Sequence, residues 1–587
     1  MNNYQLSEKF SEMGVMCEYA GGSVFRARAF SKAAEILASL ETELYEQETG
    51  FEIEGIGRGV KDIIIDFLTA GRSKAYDELK QSVPEDIFSM LAISGIGVKK
   101  LKALCEALGV QRLDQLLAKA ENGEVRLVKG FSAAGEANII QEIARIKSER
   151  HSKLFFAAER LFGEISREIS RLEGIADISP AGEFARKLPV VNKLSCTVVY
   201  RSEISCEEIS ARIIDALNIA GCDIFVCGDI SLLKVPGFYS DFPAEFFLVR
   251  QCAASENIKK LLAFSFEYLE HGAKKVGPPG GITAKNETEY KLRVILFLAE
   301  NFEFMDFVKV SPEHSELAWK NMQPESFRNL KLFTTDKIKG VFHVHSNYSD
   351  GGDSLETIVF KAKEMGLSYI GITDHSKSSA YAGGLSAERL FRQCAEIEEL
   401  NAKYAPFRIF KGIECDILKD GTLDFPDEVL KTLDFVIISV HSHFKMAPPE
   451  MSERIRRAVS NPFVTMLGHM TGRLLTKRKG YVVYEEVIFE AARKNNVIIE
   501  LNSNPYRMDI DYRHFARLSE LGIMISINPD SHSIADAMPC VKFGVNAVNL
   551  GAMPESGIFN VKSAAEIETF FDFKKETAAE KARGGIS

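Results

Sequence analysis

The sequence predicts a multidomain α and α/β protein, helical at its N-terminus, mixed α/β in the middle, and ending in parallel strand–helix units. Three observations carry this. Residues 1–150 show helical apolar spacing punctuated by glycine turns, two of them near-copies: Ile53-Glu-Gly-Ile-Gly-Arg-Gly-Val60 and Ile93-Ser-Gly-Ile-Gly-Val-Lys-Lys100. Residues 151–335 alternate helical and strand-like patterns. From Val341 onward, seven β-rich runs recur with helical patterns in most of the gaps, the signature of parallel βα units.

The chain's 587 residues give room for several domains. A composition of 46% hydrophobic and 26% charged residues excludes disordered, collagen-like and fibrous classes. No apolar run reaches about 18 residues, so no membrane partner is expected. The opening Met-Asn-Asn-Tyr-Gln lacks a signal pattern, and ten cysteines without a CxxC pair read as reduced thiols in a cytoplasmic protein. A net charge of −10 excludes a polyanion binder that uses its whole surface.

In the first segment, Phe25, Ala29, Ala33, Ile36 and Leu37 set a core-facing stripe. Gly55 and Gly57, and again Gly95 and Gly97, permit a tight turn, and the helix start after each offers unpaired N–H groups to an anion, with Lys99 beside the second. This resembles the helix-hairpin-helix, which holds nucleic-acid phosphates through backbone amides; a plain tight connection between core helices is the alternative. Lys129-Gly-Phe-Ser132 is a third candidate without the second glycine. Residues 1–150 carry 19 Lys/Arg against 23 Asp/Glu, so DNA affinity should be modest and steering weak.

In the middle segment, helical spacing runs from Leu154 to about Leu172. Strands are expected at Cys196–Tyr200, Ile224–Cys227 and Phe246–Val249, with a helix over about Glu256–Glu270. Lys274–Gly281 reads as a loop, residues 311–338 as an interdomain connection, and the tail after Phe573 as frayed.

The seven C-terminal runs are Val341–His345, Tyr369–Thr373, Arg408–Gly412, Phe435–Val440, Phe463–Leu467, Val497–Leu501 and Met524–Ile527. They suggest a closed or nearly closed barrel, with a doubly wound open sheet as runner-up. Six end in metal-capable residues: His343 and His345, Asp374-His375, Glu414, His441, His469, and Asp530 with His532. The other ends in Glu500-Leu-Asn-Ser-Asn504, and Asp350 follows the first run. Loops at the C-terminal ends of barrel strands converge on one mouth, and His343 and His345, two apart, point to the same face. A mixed imidazole/carboxylate shell without thiolate favours Zn, Mn or Fe. Cys415, adjacent to Glu414, should face the core. Arg473 could hold a substrate phosphate or simply be solvated, and His443 is extra to the pattern.

These pieces resemble the polymerase-and-histidinol-phosphatase (PHP) superfamily: His343-Val-His345, Ser349-Asp350-Gly351, Thr373-Asp374-His375, Gly412-Ile-Glu414, Ser439-Val-His441, Gly468-His469 and Asn528-Pro-Asp-Ser-His532. The resemblance implies a distorted (β/α)7 barrel with up to three divalent ions (Zn, Mn or Fe). One would take His343, His345, Glu414 and Asp530; a second Glu414, His441 and His469; a third Asp350, His375 and His532. Hydrolysis of a phosphate ester is the chemistry this implies.

With the hairpin-like motifs and the α/β segment in front, nearly the whole chain is similar to the bacterial family X DNA polymerases with a fused PHP domain. That likeness implies a lyase-like helical domain at 1–80, a fingers-like domain at 81–150, a palm at 151–235, a thumb-like region and linker at 236–335, and the PHP barrel at 338–573. The family's palm opens with Ala-Gly-Ser and continues to an Asp-x-Asp strand that binds two Mg²⁺ ions. Here Glu183 follows Ala181-Gly182, Lys193 and Ser195 fall where the aspartates belong, and Glu245 falls at the third acidic position; Asp229-Ile-Ser231 is a possible decoy. Nucleotidyl transfer is therefore expected to be lost. The family's lyase lysine position carries Ile63, with Lys61 two residues off, which puts lyase activity in doubt. The expectation is a monomeric, DNA-binding phosphoesterase of DNA repair, a 3′→5′ exonuclease or abasic-site endonuclease acting at gapped, nicked or 3′-recessed ends. A small-molecule phosphatase, a still-active polymerase and a non-catalytic DNA-end binder are the alternatives.

Overall fold

The computed structural model describes residues 3–584 apart from 40–43, 45–52, 54, 94, 150–151, 220, 240–241, 253–254, 265–268, 270–283 and 301–330. The loop expected at Lys274–Gly281 and most of the connection at 311–338 lie outside the described residues. The chain forms two compact units, Met1–Arg150 and His151–Ser587.

The first unit is helical wherever it is described. The two glycine motifs make the same turn. Gly55 (φ +83°) and Gly95 (φ +87°) take the left-handed conformation that L-residues avoid, and Gly57 and Gly97 N-cap the helices Arg58–Ala70 and Val98–Leu108. The first turn packs Ile53, Ile56 and Val60 against a core of Phe10, Phe30, Leu37, Ile64 and Phe67, and the second packs Ile93, Ile96 and Val98 into a core of Met90, Leu101, Leu104, Leu116 and Ile143.

The second unit opens with a five-stranded sheet in the order Ile175–Pro180, Leu194–Tyr200, Phe242–Arg250, Ile230–Tyr239, Asp223–Cys227. Leu194–Tyr200 runs parallel to Phe242–Arg250, and all other pairs are antiparallel. Side-chain alternation sends Leu194, Cys196 and Val198 toward the helices Phe155–Ile169 and Cys206–Ala216, while Val199, Leu232 and Val249 pack against Ser255–Leu262 and Glu287–Glu300. The sheet continues past residue 235, since Phe242–Arg250 is one of its inner strands. Two strands carry no clear sequence signal. Ile230–Tyr239 contains Pro236 and Gly237, and its register with the neighbour shifts between Val235 and Tyr239. Ile175–Pro180, at the edge, is only half buried.

All seven C-terminal runs are strands of one parallel barrel. The first contributes Gly340–Val341 and the bridging Val344; Tyr369–Ile372 is second. The third is broken into Arg408–Lys411 and Glu414–Asp416, and then come Ile437–Ser439, Met466–Leu467, Ile498–Asn502 and Ile525–Asn528. The ring closes where Val344 bridges Ser531 and His345 N donates to Ser531 O at 3.0 Å. The strand runs are apolar on consecutive residues because both faces are buried. Outer helices begin at serine caps: Ser354 accepts from Thr357 N and Ser386 from Arg389 N.

Phe342, Tyr369, Phe410, Phe435, Phe559 and Phe571 fill the barrel's N-terminal end, with Phe435 and Phe571 stacked at 5.4 Å. Gly371 and Gly412 make room for them: a Cβ at Gly412 would lie 2.4 Å from the Phe435 ring. Phe571 belongs to the helix Ala564–Gly584. As far as Gly584 the tail after Phe573 is thus helical rather than frayed, held by buried Ala578 and by Lys574 Nζ donating to Asn495 O at 2.7 Å. The two modules of this unit meet along a seam of Phe155, Phe156, Phe543 and Tyr506, with Lys542 on Glu159 at 2.7 Å.

Candidate metal centre

The barrel's other end gathers all nine predicted side chains. His343 Nε2 is 3.4 Å from both Glu414 Oε2 and Asp530 Oδ1, and His345 Nε2 is 3.3 Å from Asp530 Oδ1. His441 Nε2 and His469 Nε2 approach Glu414 Oε1 at 3.2 and 3.0 Å. His375 Nε2 and His532 Nε2 reach Asp350 Oδ2 at 3.5 and 3.3 Å. His375 also turns Nδ1 to Glu414 Oε2 at 2.9 Å, and His345 turns Nδ1 to Asp350 Oδ1 at 3.7 Å and Nε2 to Glu414 Oε2 at 3.8 Å, so both rings bridge neighbouring carboxylates. Three sets have ligand atoms close enough to share one ion: His345, Asp350, His375 and His532; His343, His345 and Asp530; and His375, Glu414 and His441.

The donor set fits cations. His343 Nε2, both ring nitrogens of His345 and Glu414 Oε2 are buried without a hydrogen-bond partner, a costly state for polar atoms in a core. Outer residues hold the rings. Glu500 Oε1 lies 2.6 Å from His343 Nδ1, and Asp416 Oδ1 lies 2.6 Å from His441 Nδ1, fixing which nitrogen faces inward. Buried Asp374 accepts from the backbone and hydroxyl groups of Ser346 and Ser349, which pins the loop bearing Asp350. Asp374 is read from the sequence among the metal-capable strand-end residues and Glu500 ends the remaining run, while Asp416 carries no sequence signal.

Without cations the acids hold protons on the rings. His375 is pushed up to about 11 and His441 to about 9: burial opposes the charge, but Glu414, with Asp350 beside His375 and Asp416 beside His441, outweighs it. His345 falls to about 4, because it is buried among other histidines, with Asp530 only partly compensating. Glu414 and Asp530 lie far below the carboxylate range, since neighbouring rings outweigh their burial, assisted at Asp530 by Arg507.

Other predicted residues fall elsewhere. Cys415 is in the core, donating to Asp424 Oδ1 at 3.0 Å, and His443 is exposed. Arg473 does not reach the cluster with a free guanidinium: Nε donates to Arg507 O at 3.0 Å, Nη1 pairs with Asp511 at 2.7 Å and Nη2 donates to Met508 O. The arginine that does reach it is Arg507, whose Nε is 3.1 Å from Asp530 Oδ2.

In the α/β sheet, Ser195 and Glu245 face each other in register, and Lys193 Nζ lies 2.7 Å from Glu245 Oε2. Glu183 accepts from Asn192 N and Nδ2 at 2.8 and 3.0 Å. The decoy Asp229 sits at the opposite end: its carbonyl accepts from Arg250 N, five residues along the strand from Glu245. In the helical unit, a Cβ at Gly57, Gly95 or Gly97 would meet nothing within 4 Å, whereas one at Gly55 would meet Ile36 at 3.0 Å and Lys32 at 3.6 Å, so the second turn is open at both glycines and the first at Gly57 alone; Lys99 is exposed. The third motif differs, because Ser132 Oγ itself accepts from Gly135 N at 3.1 Å.

The closed parallel barrel with a histidine–carboxylate cluster at its C-terminal mouth defines a PHP-domain protein. The PHP domain model matches residues 342–504, and the helix-hairpin-helix domain model matches residues 1–73. Nearly the whole chain is similar to a bacterial PolX. It is 29% identical to the DNA polymerase/3′-5′ exonuclease PolX of Bacillus subtilis, over 97% of this chain and 99% of that one. A probable phosphatase of Caldanaerobacter subterraneus is 27% identical over 34% of this chain and 79% of its own length. A solved histidinol phosphate phosphatase from Lactococcus lactis, complexed with zinc, L-histidinol and phosphate, is 18% identical with a TM-score of 0.30, covering 37% of this chain and 94% of that one. Among the described residues no helix is long and apolar enough to cross a membrane.

Proposed function

We propose that the chain is a metal-dependent phosphoesterase acting on DNA, a 3′→5′ exonuclease or an endonuclease at abasic sites, without nucleotidyl transfer. The observation that carries this is the meeting of nine histidines and carboxylates from six strand ends at one mouth, several with buried, unpartnered ligand atoms. Divalent ions bound there would activate water near neutral pH and offset charge on phosphoryl oxygens. His343, His345, Glu414 and Asp530 would hold one, Glu414 with His441 and His469 a second, and Asp350 with His375 and His532 a third. Glu500 and Asp416 orient two of the rings, and Asp374 fixes the loop that places Asp350. DNA as substrate is supported by the two glycine turns, whose helix-start amides at Gly57 and Gly97 suit phosphates, and by the name of the full-length Bacillus relative.

Loss of polymerase activity is supported by the Lys193–Glu245 pair. An ammonium group stands where Mg²⁺ would need anionic oxygens, and the strand opposite Glu245 offers only Ser195. Purified protein should give no templated incorporation with Mg²⁺ or Mn²⁺; measurable extension would overturn that part.

The main test is metal-dependent release of nucleotides from gapped, 3′-recessed and abasic duplexes. His343→Ala and Asp530→Asn should each abolish it while circular dichroism stays unchanged. A small-molecule phosphatase is the second reading, favoured by the probable phosphatase that matches 34% of this chain over 79% of its own length. Rapid turnover of histidinol phosphate without DNA cleavage would select it.

A further inference from the structure

Three neighbouring loops leave the barrel at the C-terminal ends of its fourth, fifth and sixth strands, Ile437–Ser439, Met466–Leu467 and Ile498–Asn502. Over residues 442–449, 470–484 and 503–508 they carry six lysines and arginines and no aspartate or glutamate, in a chain whose net charge is −10. Two of the six are engaged within the protein: Arg473 pairs with Asp511 at 2.7 Å and Arg507 with Asp530 at 3.1 Å. Lys445, Lys477 and Arg478 are exposed and form no ion pair among the described residues.

The fifth-strand loop holds its cations in place. Gly472, at φ +61°, turns the chain back by donating to His469 O at 2.8 Å, and a Cβ there would lie 2.9 Å from the Tyr481 ring. Beyond it Leu474 and Arg478 exchange both backbone bonds, at 2.8 and 2.7 Å, and close a short hairpin. Arg478 Nε and Nη2 donate to Gly472 O at 3.2 and 2.8 Å, and its guanidinium lies 4.8 Å from the centre of the Phe444 ring. Phe444 stacks on Tyr481, joining the fourth loop to the fifth, and Lys445 follows it directly. Leu475 N donates to Tyr506 O at 2.6 Å, and Lys477 Nζ lies 5.1 Å from the centre of the Tyr506 ring, which ties the hairpin to the sixth loop. Cation–ring contacts restrain these two charges, whereas an ordinary surface lysine samples many rotamers.

We propose that this basic rim is a strand track, holding the backbone phosphates of a single-stranded nucleic-acid segment whose scissile bond sits at the metal centre. The proposal rests on the phosphoesterase reading above and makes its substrate a polymer. A small phosphate ester seated among the nine ligands gains little from charges on the surrounding loops. A chain of phosphates gains from each, because every further phosphate can meet a lysine or arginine and release a counterion. The half-buried Phe444 and Tyr506 rings among these charges suit the unstacked bases of a single strand.

The test compares two substrates in the full chain loaded with Mn²⁺: a 5′-labelled single-stranded oligonucleotide, and bis(p-nitrophenyl) phosphate, which carries a single phosphate. Lys445→Gln combined with Lys477→Gln should raise KM for the oligonucleotide roughly 10-fold, with its kcat, both constants for the small ester and the metal content nearly unchanged. Arg478→Gln added to the pair should deepen the loss; the pair alone leaves the hairpin's carbonyl bonds intact and decides the matter if the triple variant does not fold. In anisotropy titrations the salt slope of oligonucleotide binding should fall by about 0.7 for each cation removed, and Lys477→Arg should preserve it. An unchanged oligonucleotide KM and slope overturns the track, as does an equal loss on both substrates or a loss that follows lost metal. A parent protein that hydrolyses the small ester without binding the oligonucleotide overturns it together with DNA as substrate. Oligonucleotide binding that depends on these cations in a protein that hydrolyses neither ester would remove the phosphoesterase reading and leave the track standing.

Discussion

His343 shows how much chemistry one residue collects. Glu500 holds its Nδ1 while Nε2 faces Glu414 and Asp530, so the ring is aimed before any ion arrives. Glu500→Gln should weaken metal binding about 10–100-fold, measured by competition with a chelating dye, because the amide orients the ring less firmly and adds no basicity. The protonated rings set a pH dependence. Since folding raises His375 to about 11 and His441 to about 9, their contribution to the metal-free protein is complete below the ordinary histidine value and fades as pH climbs through 9 to 11. Cations compete for the same nitrogens. Metal loading should therefore release protons, and the rise in Tm on adding Mn²⁺ or Zn²⁺ should grow from about pH 6 to about pH 8. Titration of the metal-free protein with a pH indicator in weak buffer checks this; proton-neutral uptake would contradict it. The inner side chains were legible because strand-end histidines recur at βα spacing. Asp416 was not, because no periodicity marks a partner that acts through another residue; Arg473, read as either a phosphate ligand or a solvated side chain, is neither free nor solvated, since all three of its nitrogens are paired.

At the scale of elements, the barrel was the most readable part. Strands buried on both faces must be apolar residue after residue, and all seven stood out for that reason. The α/β sheet was half readable: its central Leu194–Tyr200 is wholly buried, while Ile230–Tyr239 hides behind Pro236 and Gly237. The barrel's packing yields a specific test. Gly412→Ala would place a methyl 2.4 Å from Phe435 and 2.8 Å from the Ile372 carbonyl, where overpacking costs about 1–3 kcal/mol. The full chain should melt at a lower temperature, and Phe435→Leu in the same background should restore part of the loss. No rescue would mean that the carbonyl contact, not the ring, sets the cost.

For the whole molecule, the order of parts followed from glycine turns, alternation and strand–helix recurrence, and the break at Arg150 falls where the helical pattern ends. What composition could not foretell is that a net acidic helical unit leaves the helix-start glycines Gly57 and Gly97 uncovered. If those amides hold DNA, affinity should fall only shallowly with salt, because few lysines and arginines displace counterions. Gly57→Val and Gly97→Val together should weaken duplex binding with little change in that slope. A steep slope in the parent protein would point to basic side chains instead.

The aromatic floor built from Phe342, Phe410, Phe435 and Phe571 has a consequence for traffic. These rings close the barrel's N-terminal end, so a polymer cannot thread through it, and on the phosphoesterase reading whatever is cut must back out the way it came. On that reading each departing fragment delays the next arrival, which predicts trimming in discrete visits rather than continuous digestion.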